Sequence, residues 1–197
     1  MNSPIFFRET KDRQGFTNQI LKKFKNEFES KTVLVKPNIV SHEPYPTTTH
    51  PDLLRTVIAY LKNLNCTILV GDGPAIDAGK SETIIKSHPL SSICSEFEID
   101  LLNLHKIGFS KTKTSSLALR ISKIVSECDY IISLPVLKAH KICGLTGALK
   151  NQLGFLSVTE KRRLHLVRDV HAVIVELNEI VKPNLYLVDA VQTLIRT

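Results

Sequence analysis

The sequence places cations, imidazoles, carboxylates and an amide at or shortly after the ends of short apolar runs. The residues concerned are Lys36, Asn38, His50, Asp72, Lys138, His140 and Asp189. A site that combines such groups is suited to binding an anion and transferring a proton. We expect Lys36 and Lys138 to bind the anionic group and His140 to act as the acid and base.

The segment 144–154 carries a second set of candidate residues. Gly144 and Gly147 predict the start of a helix, whose free N–H groups and positive dipole end attract an anion. Thr146 and Lys150 are four positions apart and therefore share one face of that helix. We expect a half-buried lysine of this kind to have a lowered pKa and to act as a nucleophile or base.

These patterns give His140 and Lys150 as the predicted catalytic residues, with Asn151 orienting Lys150. The predicted ligand-binding residues are Lys36, Asn38, His50, Asp72, Lys138, Thr146, Asn151 and Asp189. Two alternatives stay open. In the first, the segment 144–154 is an ordinary packing helix with a solvated Lys150. In the second, Asp72 only caps a tight turn between two glycines.

Several well-known motifs are absent. The Gly71-Asp72-Gly73 turn lacks the spacing of GxGxxG, and neither the Walker A pattern nor HExxH occurs. The cysteines form no CxxC pair, which argues against a zinc ribbon or an iron–sulfur cluster made by this segment alone. We therefore predict no metal site and leave the cofactor open.

The elements that position these residues alternate between strand and helix. Apolar runs predict strands at 4–8, 32–35, 66–70, 100–104, 117–121, 130–134 and 185–188. Helices are predicted at 16–28, 51–64, 81–97 with an interruption near Pro89, 122–128, 144–153 and 170–181. Such alternation predicts an α/β fold with a mainly parallel sheet and helices on both faces. Ligands of such sheets bind outside the carboxyl ends of the strands.

Composition narrows the function classes. The 197 residues are 43% hydrophobic, which is typical of a globular chain, and no apolar run approaches the length of a membrane span. Scattered cysteines and the lack of a secretory signal favour a cytoplasmic location. The net charge of +7 favours anionic partners. The densest basic cluster, residues 161–163, is interpreted as a solvated face.

Six segments together resemble the domain of unknown function 362 family. They are VKPNIV (35–40), THP (49–51), GDGP (71–74), LPVLKAH (134–140), TGALKNQLG (146–154) and LYLVDA (185–190). The resemblance covers nearly the whole chain. It implies a single α/β domain over residues 1–197 that lacks the family's C-terminal portion. Some relatives carry a ferredoxin-like cluster domain, for which this chain has no cysteine pattern.

A weaker similarity links the histidine–glycine–lysine order here to the lactate racemase family. In that family a lysine carries a nickel-pincer nucleotide and histidines exchange protons. By this resemblance His140 is an acid/base, and Lys150 is an attachment or phosphate-binding group.

Three functions follow as hypotheses. The first is a small-molecule or cofactor-binding domain, of which the more specific form is an enzyme that acts on an anionic substrate by Lys/His acid–base chemistry. The second is an electron-transfer or assembly partner of iron–sulfur proteins. The third is a basic nucleic-acid-binding module, which the absence of Trp and of interleaved aromatic residues disfavours.

Overall fold

The computed structural model describes residues 4–114, 116–166 and 169–195. Its helices are α1 (Arg13–Phe28), α2 (Pro51–Lys62), α3 (Ser81–Ser87), α4 (Pro89–Ser95), α5 (Ile124–Glu127), α6 (Ala148–Asn151), α7 (Val158–Leu166) and α8 (Val170–Ile180), with a 3₁₀ helix at Gln152–Phe155. Its strands are β1 (Thr32–Pro37), β2 (Thr67–Asp72), β3 (Leu101–Asn103), β4 (Phe109–Lys113), β5 (Ala118–Ser122), β6 (Tyr130–Leu134), β7 (Lys138–His140), β8 (Gly144–Thr146) and β9 (Leu185–Tyr186).

The main sheet has five strands in the order β3-β2-β1-β6-β9. Every neighbouring pair in it is parallel, with Val35 opposite Val70 on one side and Ile132 on the other. The predicted mainly parallel sheet is therefore confirmed. Because the strands run in one direction, their carboxyl ends meet at one edge of the sheet.

Helices cover both faces of this sheet, as predicted. Val33 and Val35 of β1 point into a core cluster that contains residues of α1, α2 and α4. Leu34, which lies between them, points into a second cluster with residues of α8 and the 3₁₀ helix. This alternation follows from the two-residue period of side chains along a strand. None of the described helices has the length and apolar character needed to cross a membrane.

The helix boundaries follow from local sequence signals. Pro51 occupies the first turn of α2, and the Nδ1 atom of His50 accepts a hydrogen bond from the Asp52 N–H at 3.1 Å. Pro89 separates α3 from α4, because proline cannot continue the hydrogen-bonding pattern of the preceding helix. His88 caps α4 in the same way that His50 caps α2.

Two predicted elements are wrong. Residues 4–8 form no strand, and the Phe7 side chain in that segment is 86% exposed. The predicted helix 144–153 begins instead with strand β8, which pairs with β7 as an antiparallel hairpin. Gly144 has a φ of +68°, which suits the end of a hairpin turn and excludes a helix start there. Helix α6 begins only at Ala148.

Phe28 tests the core that joins α1 to the sheet. Its ring is fully buried and packs edge-on against Tyr130 of β6, with centroids 5.4 Å apart. We expect Phe28→Ala to lower the free energy of unfolding by about 3–5 kcal/mol in urea titrations, because it leaves a cavity. Phe7→Ala, the same change at an exposed ring, is the control and should cost under about 0.5 kcal/mol. Equal losses in the two variants would contradict this account of the core.

Candidate functional site

A buried ion pair lies at the carboxyl edge of the sheet. The Nζ atom of Lys36, at the end of β1, is 2.6 Å from Oδ1 of Asp72, at the end of the adjacent strand β2. Lys36 is 0% exposed. Burial lowers the pKa of Lys36, and the charge of Asp72 opposes that effect. The two charges balance each other in the interior.

Asp72 also organises the loops around it. Its Oδ2 accepts a hydrogen bond from the Ile39 N–H at 2.6 Å, and its Oδ1 accepts one from the Gly73 N–H at 2.8 Å. One carboxylate therefore joins the chain after β1 to the chain after β2. This role is more than the capping of a tight turn.

Asn151 joins the short helix α6 to the same pair. Its Oδ1 accepts hydrogen bonds from Lys36 Nζ at 3.3 Å and from Asn38 Nδ2 at 3.2 Å. Its Nδ2 donates to Ser133 Oγ on β6 at 2.9 Å. The Asn151 side chain thus fixes α6 to the sheet edge, and its hydrogen bonds go to these residues and not to Lys150.

Two glycines permit this close packing. A Cβ atom on Gly154 would lie 2.0 Å from Asp72 Oδ1 and 2.7 Å from Lys36 Nζ. A Cβ atom on Gly73 would lie 2.4 Å from the carbonyl oxygen of Gly154. The backbone of the 3₁₀ helix therefore covers the ion pair directly and excludes water from it.

A cavity of about 880 Å³ opens beside this cluster. It brings together most of the predicted site residues, from segments far apart in the sequence. Those that line it are Asn38, Asp72, Lys138, His140, Thr146, Lys150 and Asn151. Lys161 also lines it. We call it the lysine cavity, after Lys138, Lys150 and Lys161.

Lys138 and Lys150 lie on two neighbouring elements of the cavity wall. Lys138 Nζ donates hydrogen bonds to Asn38 Oδ1 at 3.0 Å and to the carbonyl oxygen of Thr47. Burial, together with the nearby charge of Lys150, lowers the pKa of Lys138 to about 8. Burial also lowers the pKa of Lys150.

Lys161 is a site residue that the sequence did not reveal. It is 7% exposed, so its interpretation as part of a solvated basic face is wrong. Its Nζ donates to the carbonyl oxygens of Gly73 at 2.6 Å and Pro74 at 3.0 Å. Burial lowers the pKa of Lys161 to about 7, with further contributions from Lys36 and Lys150. Only the tertiary packing of α7 places this lysine at the cavity, and no local motif indicates it.

His140 is held in one orientation by its own turn. Its Nδ1 lies 3.2 Å from the backbone nitrogens of Ile142 and Cys143, both of which donate to it. In the neutral ring Nδ1 is then the acceptor and the proton resides on Nε2. The hydrogen-bond donor of the neutral His140 ring is therefore the Nε2–H group.

Three predicted ligand-binding residues do not line the cavity. Lys36 lies behind its wall, in the ion pair. His50 caps α2 and makes an edge-on contact with the Tyr45 ring at 4.8 Å. Asp189 binds Arg13 Nε at 2.7 Å and accepts from the Tyr45 hydroxyl at 3.1 Å. His50 and Asp189 both lie at the carboxyl edge, but their side chains take part in contacts that hold α1 and the loop before α2.

The five-stranded parallel sheet with a polar cavity at its carboxyl edge places the chain among open-sheet α/β proteins. The chain belongs to the family described as domain of unknown function 362 (DUF362), whose model matches residues 33–197. It is 24% identical over 166 residues to a thylakoid-associated protein of Synechocystis sp., covering 81% of this chain and 51% of that protein.

A solved structure shows a similar fold. It is the lactate racemase apoprotein from Thermoanaerobacterium thermosaccharolyticum, with a TM-score of 0.50 and 18% identity, covering 74% of this chain and 37% of that one. At this identity the likeness shows the fold alone. The chain thus spans about half the length of the curated relative and less of the solved structure.

The donors of the lysine cavity do not match a metal ion held by protein side chains. In the described part of the chain, no three or more His, Cys, Asp or Glu residues are grouped so as to hold a metal. The buried lysines carry ammonium groups, which repel a cation.

The ion pair is tested by a double-mutant cycle. We expect Asp72→Asn and Lys36→Met each to lower the free energy of unfolding by about 3 kcal/mol, because each leaves one buried charge unpaired. The double variant should lose clearly less than the sum of the two. Asp77→Asn, at an exposed carboxylate in the same loop, is the control for loss of charge alone. Additive losses in urea denaturation would contradict a coupled pair.

Proposed function

We propose that this chain binds a small anionic ligand in the lysine cavity. The observation that carries the proposal is the charge of the wall. Lys138, Lys150 and Lys161 all line the cavity, and none of the ion pairs among the described residues neutralises them. Buried charges in proteins are normally paired, so an anion is the missing partner.

The carboxylates near these lysines do not fill that role. Asp72 is already bound to Lys36. Glu43, Asp77 and Asp169 also line the cavity but are exposed, so that water and salt screen their charges. The charges of the three lysines are therefore largely uncompensated, which favours binding of an anion.

The same groups support acid–base chemistry on such a ligand. In this proposal Lys138 and Lys161 hold the anionic group and His140 donates a hydrogen bond from Nε2. Lys150, whose pKa burial lowers, serves as the base or nucleophile. Binding without reaction is the simpler form of the proposal, and both forms require the same cavity.

Native mass spectrometry of freshly purified protein tests whether a ligand is retained. We expect an adduct that survives desalting, and we expect Lys150→Ala and His140→Ala to lose it while keeping the wild-type melting temperature. Lys141→Ala is the matched control, because Lys141 is an exposed lysine in the same hairpin. Retention of the adduct by both cavity variants, or its loss from the control, would contradict the proposal.

Titration of the lysines gives the proposal a pH dependence. The charged and titratable groups that interact with Lys161 are Asp72, Lys36, Lys150 and His105. Those that interact with Lys138 are Lys150, Glu43 and Asp72. Burial lowers the pKa of His105 to about 4, so that this ring stays neutral above pH 6. Proton loss from Lys161 and Lys138 therefore lowers the positive charge of the cavity wall between pH 6 and 9.

Sulfate is a suitable probe, because its own charge is constant over this range. Lys161 and Lys138, with pKa values of about 7 and about 8, lose their charges as the pH rises. We expect the affinity for sulfate, measured by calorimetry at constant ionic strength, to fall by at least about tenfold between pH 6.5 and 9. An affinity that is constant or rises with pH would contradict the role of these two lysines.

A further inference from the structure

We infer that the lysine cavity recognises a phosphoryl group, the dianionic end of a small organic phosphate. Thr146, Lys138, Lys150 and Lys161 supply the hydrogen bonds to it. This inference rests on the proposed function, since it names the chemical class of the anion. It starts from a feature that anion binding in general does not explain, the environment of Thr146.

Thr146 has a buried hydroxyl with no partner in the described part of the chain. The residue is 3% exposed, and it lines the lysine cavity. Buried side-chain hydroxyls nearly always have a hydrogen-bond partner. Thr146 on β8 is also the register partner of Lys138 on β7, so the two side chains lie on the same face of the hairpin. The hydroxyl and the ammonium group therefore belong to one face of the hairpin, and both residues line the cavity.

The lysines have N–H groups left for such a ligand. An ammonium group has three N–H donors. Lys138 uses two on Asn38 and Thr47, and Lys161 uses two on Gly73 and Pro74. Lys150 makes no hydrogen bond to the described residues, and its charge interacts with those of the other two. All three amino groups thus keep donors while sharing one positive region.

The arrangement of these donors favours a tetrahedral anion over a planar one. They come from three separate elements: the β7–β8 hairpin, helix α6 and helix α7. A carboxylate accepts hydrogen bonds in and near one plane, whereas the three terminal oxygens of a phosphoryl group point in different directions. A phosphoryl dianion also compensates more of the positive charge than a monoanion does, and lysine is a common phosphate ligand.

The size of the cavity indicates that the phosphoryl group belongs to a larger molecule. Its volume of about 880 Å³ is in the range of pockets that enclose whole organic ligands. Part of the lining is apolar, from Ile39, Val40, Ile76, Leu153 and Leu164. An organic group of the ligand would contact these side chains, which inorganic phosphate leaves uncovered.

Calorimetry at pH 7 and constant ionic strength tests the inference with four probes. At this pH phenyl phosphate is mainly a dianion and inorganic phosphate is a mixture of monoanion and dianion, for which its affinity is corrected. Dimethyl phosphate is a tetrahedral monoanion, and benzoate is a planar monoanion with a similar ring. We expect phenyl phosphate to bind at least about tenfold more tightly than benzoate and dimethyl phosphate. We also expect it to bind more tightly than inorganic phosphate, because only the organic ester contacts the apolar wall. Equal affinity of phenyl and inorganic phosphate would overturn the organic part of the inference.

Variants locate the phosphoryl contacts. Thr146→Val keeps the side-chain shape but removes the hydroxyl, and it should reduce the preference for phenyl phosphate over benzoate by about three- to tenfold. Lys161→Met should lower the affinity for all four anions, and it should lower the affinity for the dianions most. Lys141→Met, which removes an exposed charge from the same hairpin, should leave the preference unchanged. Circular dichroism and the melting temperature of each variant identify any that fail to fold.

The outcomes separate this inference from the proposed function. Suppose that benzoate binds as tightly as phenyl phosphate and that the Lys161→Met variant binds neither. The cavity then binds anions in general, and the phosphoryl inference is wrong. A Thr146→Val variant with undiminished preference also contradicts it. If no probe binds and no ligand co-purifies with the wild-type protein, the proposed function itself fails.

Discussion

The carboxyl edge of the sheet depends on one ion pair, between Lys36 and Asp72. Taking both charges out of water costs several kcal/mol per ion, and their attraction offsets this only when the remaining hydrogen bonds are also made. They are made here. Asp72 accepts from two backbone N–H groups, and Lys36 donates to Asn151 and to the Pro37 carbonyl. Strand ends, loops and α6 therefore take up positions that satisfy this pair.

Having one carboxylate for several buried lysines has consequences for stability. Lys161 has a pKa of about 7 in the folded chain, against an ordinary value of 10.5. Between these two values the unfolded chain holds a proton that the folded chain lacks, so the destabilising effect of burying Lys161 becomes smaller as the pH rises towards about 10.5. Below pH 7 both states are protonated and folding must bury the charge. A bound anion reverses this cost, because it stabilises the protonated form.

The sequence predicted the frame of the site better than its details. Apolar runs located all five strands of the main sheet within a few residues, and the polar residues after them, such as Asn38 and Asp72, do meet at one edge. Lys36 was predicted to face the ligand but is buried, because Gly154 allows the 3₁₀ helix to cover it. Lys161 was missed because its position depends on the packing of α7 and not on any local pattern. His50 and Asp189 follow strands as predicted, but their side chains have other partners. Asp189 forms an ion pair with Arg13, and the His50 ring contacts the Tyr45 ring.

The hairpin β7–β8 connects the cavity to the last described segment of the chain. A two-stranded hairpin is only marginally stable by itself. This one is anchored by backbone hydrogen bonds from Leu137 to Asp189 and from Ala139 to Leu194, and by the Lys138 amino group on Asn38. It carries Lys138 and Thr146 on one face, and Lys161 of α7 lines the same cavity. A ligand that accepts hydrogen bonds from both the hairpin and α7 would add contacts between these two elements, so that binding would stabilise the folded hairpin.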